Sequence, residues 1–452
     1  MSEIRVIAIF DVGKTNKKLF LINELYNIVY EKTMQFEEVL DEDGDVCENI
    51  EALTTWGKNA IATLIENGGF EIVAINFSAY GASFVYVDDE GKTLTPLYNY
   101  LKPYPQELQN KFYNQYGGKT ELPMLTASPV LGNLNSGVQL YRLKYMQPAI
   151  FKKVKYALHL PQYLSYLITG KAYSDITSIG CHTHLWNFSN NNYHSWVSSE
   201  SIDKILPPIF SSAEVIVAKA FWKNFKVGVG LHDSSAALIP YLASFSEPFI
   251  LISTGTWCIS LNPFNKQPLT EDELNNDCLC YMSYTGNAVK ASRLFAGNEH
   301  EIETNRLAKH YNVPKDSYKT IGYDVNIINK LVDSNKLQTQ IQFANRDLNN
   351  FENYAIAYHR LMLDIMWQQL ASTKRVLQNE KVNRLFVDGG FSKNEIYMHL
   401  LAEAFPEMEV YASSVAQATA IGAALAIHKH WNTKPLPGNI IELKLYTKPA
   451  LP

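Results

Sequence analysis

Val6-Ile7-Ala8-Ile9-Phe10-Asp11-Val12-Gly13-Lys14-Thr15-Asn16-Lys17-Lys18-Leu19-Phe20-Leu21-Ile22 reads as a strand, a tight polar turn and a returning strand. The turn collects an acid, a glycine, a hydroxyl, an amide and three ammonium groups. Such a set suits a polyphosphate: Gly13 admits close backbone approach, Thr15 and Asn16 donate, Lys14 and Lys18 carry charge, and Asp11 offers an oxygen to hydrated magnesium. A P-loop is excluded, because Ala8 stands where that motif needs its first glycine and a period-two strand follows instead of a helix. An ordinary hairpin with surface lysines is the plain alternative.

Outward from this turn, a third strand follows through Ile28-Val29-Tyr30, then an amphipathic helix from Ile50 to Glu66 closed by Gly68-Gly69. A buried-type strand comes next at Ile72-Val73-Ala74-Ile75-Asn76-Phe77. A βββαβ order begins a layered α/β domain. After another strand at Phe84-Val85-Tyr86-Val87, the pattern from Tyr104 to Phe188 is mainly helical, with Leu158 to Ile168 its most apolar helix. The chain then restarts: Pro248-Phe249-Ile250-Leu251-Ile252, the turn Ser253-Thr254-Gly255-Thr256, and Trp257-Cys258-Ile259-Ser260-Leu261 repeat the opening plan, which predicts a domain-scale duplication. Near the end, a helix from Phe351 to Leu377 leads to the strand Arg384-Leu385-Phe386-Val387 and the turn Asp388-Gly389-Gly390. A last helix is rich in small residues from Ala416 to Ala424.

A chain of 452 residues has room for two or three cored domains. A net charge of −5 without a basic stripe argues against a nucleic-acid partner. Five cysteines without a leading signal segment fit a reducing cytoplasm, and no apolar run approaches the ~20 residues a membrane span needs. Cys181-His182-Thr183-His184 invites a zinc reading, but no second ligand pair follows at finger spacing, so buried or loop residues are expected there. Cys278-Leu279-Cys280 lacks the two-residue gap of a zinc knuckle.

Three glycine turns, at Gly13, Gly255 and Gly389-Gly390, each follow an apolar strand, where ligands of layered α/β folds collect. A fourth segment, Gly228-Val229-Gly230-Leu231-His232-Asp233, leads into a helix of small residues. Asp233 there is either a plain helix cap or a general base for phosphoryl transfer, and a helix amino terminus would keep it ionised.

These residues together resemble the FGGY carbohydrate kinases. Asp11-x-Gly13-x-Thr15-Asn16-x-Lys18 is similar to the family's first phosphate motif, and Ser253-Thr254-Gly255-Thr256-Trp257 to its second. Asp388-Gly389-Gly390-x-Ser392-x-Asn394 resembles its adenosine motif, and Asp233 falls where the family carries its catalytic aspartate. The resemblance implies an actin-like α/β fold of two duplicated ribonuclease-H-like domains, residues 1–244 and 245–452, with the active site between them. It implies ATP and Mg2+ as cofactors and phosphorylation of a sugar hydroxyl. Ser253 to Trp257 looks closest to the rhamnulose kinases, so a ketose such as L-rhamnulose is the expected acceptor.

Two departures mark the acceptor side. Lys14 stands where the family commonly has threonine, which makes that phosphate contact ionic. The loop Ser78-Ala79-Tyr80-Gly81-Ala82-Ser83 lacks the Trp-Gly-Val-Asp pattern, and Tyr98 to Tyr104 replace an expected aromatic, acid and arginine set. The substrate contacts read here are Ala79, Tyr80, Asn99, Tyr100, Lys102 and His232 beside Asp233. Lys102 leaves a sugar-acid acceptor open, and an alditol kinase or an actin-like nucleotide-binding module without kinase activity are the other readings. A homodimer is the default for an enzyme of this size.

Overall fold

The computed structural model describes residues 3–220, 223–333, 342–377 and 381–447. Two seven-stranded sheets form its framework. In the first, Ile28–Met34, Lys17–Asn23 and Ile4–Val12 make an antiparallel meander. Phe70–Ala79 and Lys223–Gly228 then extend it in parallel from the Ile4–Val12 side. In the second, Ala288–Leu294, Cys258–Asn262 and Phe249–Thr254 repeat the antiparallel three, and Arg384–Gly389 and Glu409–Ser414 the parallel two. The expected duplication is therefore visible as one strand order used twice.

Strand alternation explains the layering. Val6, Ala8 and Phe10 of the first strand pack with Leu53, Trp56 and Ile61 of the helix Ile50–Asn67 and with Leu160, Tyr163 and Leu164. Ile7 and Ile9, on the opposite face, pack with Ala236, Ile239, Ala420, Ile421 and Ala424. The strand is apolar throughout because helices cover both its faces. Ile250 and Ile252 of the second sheet likewise face the helices Tyr354–Leu377 and Glu395–Ala404, while Phe249 and Leu251 face Leu238 and Tyr241.

The helices Asp233–Ser244 and Ala418–Ala426 lie on each other between the sheets. Their approach is so close that a β-carbon on Gly422 would sit 1.8 Å from the Ala236 carbonyl oxygen. The small-residue composition of the last helix therefore serves packing against the Asp233 helix as well as the sheet.

One helix begins later than its apolar pattern suggests. Tyr156–His159 is a strand paired with Phe84–Val87, and the helix runs Leu160–Thr169. Pro161 accounts for the boundary, since proline suits only the first helical turn; Gly170, at φ 65°, closes the other end. Among the described residues no helix is long and apolar enough to cross a membrane.

Candidate active site

The first strand and its return set Asp11 opposite Lys18 across the hairpin. Asp11 accepts a 2.8 Å hydrogen bond from Thr419 Oγ at the start of the Ala418–Ala426 helix, and Lys18 reaches Glu31 and Gln417. Burial raises the Asp11 carboxyl to about 6 despite the Thr419 bond, and the charge of Asp233 adds to the shift. The hairpin tip is pinned by Gly13 N–H donating to the Asn16 carbonyl at 2.9 Å, which leaves Thr15 and Asn16 exposed.

Asp233 opens its helix directly after the two-residue strand Leu231–His232, which pairs with Ser78 and Ala79. Its Oδ1 accepts from Ser234 N–H at 2.6 Å. About a third of the side chain is open, yet the protein packed around it withholds bulk water and pushes the carboxyl up to about 6. Desolvation outweighs the Ser234 bond, and a carboxyl at about 6 is still mostly ionised at neutral pH. Two carboxylates that feel each other, both with raised affinity for protons, are what a hydrated magnesium ion would neutralise, so the residues fit that metal.

His232 is buried and neutral, its pKa lowered to about 4 by desolvation. Its ring stacks on Tyr281, 5.8 Å between centroids, and occupies space that a side chain at position 81 would fill: a β-carbon on Gly81 would lie 2.7 Å from His232 Cδ2. The Ser78 to Ser83 loop is thus shaped by the residue next to Asp233. Tyr80 and Tyr100 meet edge to face at 6.1 Å, and the Tyr100 hydroxyl, raised mainly by burial, also feels Asp233. Tyr80 OH donates to Glu48, which is held by the buried Lys17 at 2.7 Å.

Other residues expected at the acceptor or phosphates are engaged elsewhere. Lys102 Nζ sits among Asp41, Asp43 and Asp45 at 2.5, 2.8 and 3.1 Å, so its charge is already neutralised and cannot serve an incoming carboxylate. Asn99 Nδ2 donates to the Val46 carbonyl, and Asn99 Oδ1 accepts from Leu101 N–H, in the same loop cluster. Lys14 pairs with Glu38 at 3.5 Å, and Ala79 is wholly buried, contributing backbone pairing with His232.

The second and third glycine turns are joined directly: Gly390 N–H donates to the Thr254 carbonyl at 3.0 Å, and Phe391 N–H to Thr254 Oγ. Gly389, at φ 80°, has no room for a β-carbon, which would lie 1.8 Å from that same carbonyl oxygen. Gly255, Gly390 and Asn394 line a cavity of about 720 Å³, large enough for a nucleotide. Asn394 also caps the following helix, accepting from Tyr397 N–H, and donates to Tyr358 OH.

The far wall of this cavity was not foreseen. Gly297, His300, Tyr318, Lys319, Ile321 and Gly322 supply it. Gly297 brings the helix Ala296–Tyr311 against the second turn, where its β-carbon would lie 1.8 Å from the Gly255 carbonyl oxygen, and Asn298 N–H donates to the Thr256 carbonyl. His300, hydrogen-bonded to Tyr358 OH and held neutral by burial at about 4, meets Tyr318 and Phe391 edge to face at 4.9 and 5.2 Å. Those rings make an aromatic wall of the cavity. The only sequence signal was an aromatic and a lysine shortly before a glycine in a segment without periodicity.

Two sheets of one topology, with helices between them and glycine turns at strand ends, follow the plan of the actin-like ATP-binding folds. Residues 6–239 match the N-terminal domain of the FGGY family of carbohydrate kinases and residues 246–435 match the carbohydrate kinase FGGY C-terminal domain; the chain belongs to this family. A rhamnulokinase of Halalkalibacterium halodurans is 26% identical over 264 residues, 55% of this chain and 52% of that protein. The match thus spans about half the length of that relative. A rhamnulokinase of an Enterobacter species is 22% identical over 89% of this chain and 85% of its own. Among solved structures, a carbohydrate kinase of Novosphingobium aromaticivorans superposes with a TM-score of 0.81 at 19% identity, covering 99% of this chain and 95% of that one. A gluconate kinase of Lactobacillus acidophilus gives 0.81 at 15%, covering 99% and 94%.

Proposed function

We propose that the chain transfers the terminal phosphoryl group of ATP to a hydroxyl of a small sugar, a ketose such as L-rhamnulose, with Asp233 as the general base. The observation that carries this reading is Asp233 itself: a carboxylate with a pKa near 6, opening a helix and sharing its field with Asp11. The rhamnulokinase relatives support the ketose.

In this reading adenine lies in the cavity against the wall of His300, Tyr318 and Phe391, and the phosphates run past Gly255, Thr256 and Gly390. Thr15, Asn16 and Lys18 steady the transferring group from the other side. Magnesium held through water by Asp11 would supply charge neutralisation along the phosphates. Asp233 accepts the hydroxyl proton as the sugar oxygen bonds to phosphorus and the bond to the ADP oxygen breaks; the proton then passes to solvent. Little covalent work falls to the protein, so rate depends on positioning and on exclusion of water as a rival acceptor. The division at 244/245 assigns the base and first phosphate turn to one domain and the second turn and adenosine site to the other. The family matches end and begin on either side of it.

A sugar-acid acceptor is disfavoured, because Lys102, the cation read for it, is spent on three aspartates. ADP release measured with rhamnulose, fuculose, xylulose, ribulose, glycerol and gluconate tests the reading. Stimulation by a ketose is expected; tight ATP binding with no stimulation by any acceptor would favour a nucleotide-binding module.

A further inference from the structure

The Cys181-His182 dipeptide acquires in the fold the third ligand that it lacks in the sequence. Cys181 Sγ and one ring nitrogen each of His182 and His232 lie within 4.8 Å of one another. Cys181 Sγ is 3.3 Å from His232 Nε2, and that nitrogen is 3.3 Å from Asp233 Oδ1. Ligand atoms of a tetrahedral zinc ion stand roughly 3.3–3.8 Å apart, so little movement is needed to close around one.

Two further features belong to a site and not to plain packing. His182 Nδ1–H donates to the Leu134 carbonyl at 2.9 Å, which fixes the tautomer and leaves Nε2 as the lone-pair atom. His182 holds a left-handed backbone at φ 38°, a conformation that costs energy in a residue with a side chain.

We propose that Cys181, His182 and His232 bind a zinc-class divalent ion whose fourth position falls to Asp233, so that occupancy ties up the carboxylate and arrests phosphoryl transfer. Thiolate with imidazoles selects zinc over magnesium, so the site would not be filled by the ion that accompanies ATP. Coordination takes the sulfur as thiolate and the imidazoles uncharged, so binding displaces one proton, from Cys181 to solvent. The second acidic cluster, Asp41, Asp43 and Asp45, makes no comparable site because Lys102 already fills it.

The binding claim is independent of the sugar-kinase reading, whereas the arrest of turnover rests on it. Cobalt(II) titrated into the chelator-treated full chain is expected to give a thiolate-to-cobalt charge-transfer band saturating at one equivalent and erased by zinc. Cys181→Ser should abolish the band while leaving the circular dichroism spectrum and zinc-free turnover unchanged; His182→Gln should weaken cobalt binding at least on the order of tenfold. Absence of the band in the native chain, or its survival in Cys181→Ser, would overturn the site. With ADP release at saturating magnesium, zinc should inhibit the native chain and not Cys181→Ser. One cobalt bound without zinc inhibition would overturn the link to Asp233.

Discussion

Acidification is expected to silence turnover with a midpoint near pH 6, well above the range of an ordinary aspartate. Desolvation sets the Asp233 carboxyl at about 6 against an unperturbed 3.8. At pH 5 such a base is only about one-tenth ionised, whereas an unperturbed one is more than nine-tenths ionised. Between pH 7.5 and pH 5, kcat/KM for the acceptor should therefore fall by about tenfold instead of by about a twentieth. Asp11 titrates in the same range and feels Asp233, so the acid limb belongs to the pair. Asp11→Asn, which removes the neighbouring negative charge, should move the remaining midpoint downward. Asp233→Asn should lose about 10²- to 10⁴-fold in kcat while nucleotide affinity stays near native. The assay is coupled ADP release across the pH range, with circular dichroism confirming the fold at each point. A flat profile down to pH 5 with the fold intact, or an Asn variant with near-native turnover, would refute the assignment.

Lys17→Met leaves Glu48 buried without its cation, both side chains being 2–3% exposed, and should cost about 3–5 kcal/mol in urea unfolding. Gly297→Ala sets a β-carbon into the Gly255 carbonyl, so the second turn must move; KM for ATP should rise on the order of tenfold or more with a smaller change for the acceptor. Asp11→Asn also has a stability signature. A pKa raised from 3.8 to about 6 means the native state binds the proton more tightly, so stability falls as pH rises from about 4 to 6 in the absence of magnesium. The Asn variant should gain in Tm relative to the native chain at pH 7.5 and show no such gain at pH 4, as read by calorimetry.

The framework was legible because its strands are buried on both faces and therefore apolar throughout, and because each glycine turn falls at a strand end. What could not be read is where equivalent side chains go. Lys14, Lys17 and Lys18 look alike in sequence, yet Lys14 turns to Glu38, Lys17 turns inward to Glu48, and Lys18 faces Asp11 across the hairpin. Lys102 looked like a free cation because its partners, Asp41 to Asp45, lie some 60 residues earlier and are brought to it only by the fold. The cavity wall at Tyr318 to Gly322 is a 3-10 turn followed by extended chain, without the periodicity that marks helices and strands. The glycine-rich approach and small-residue helix left Asp233 open between a helix cap and a general base, and only the family resemblance pointed to the base. Its raised pKa depends on protein packed around it from distant segments, which no local pattern records.

The central claim is most directly tested by mass analysis of the acceptor after incubation of the native and Asp233→Asn chains with ATP, magnesium and each candidate sugar. One ketose should gain a single phosphate with the native chain and remain unmodified with the variant. No phosphorylated acceptor from a chain that binds ATP, or equal product from both chains, would contradict it.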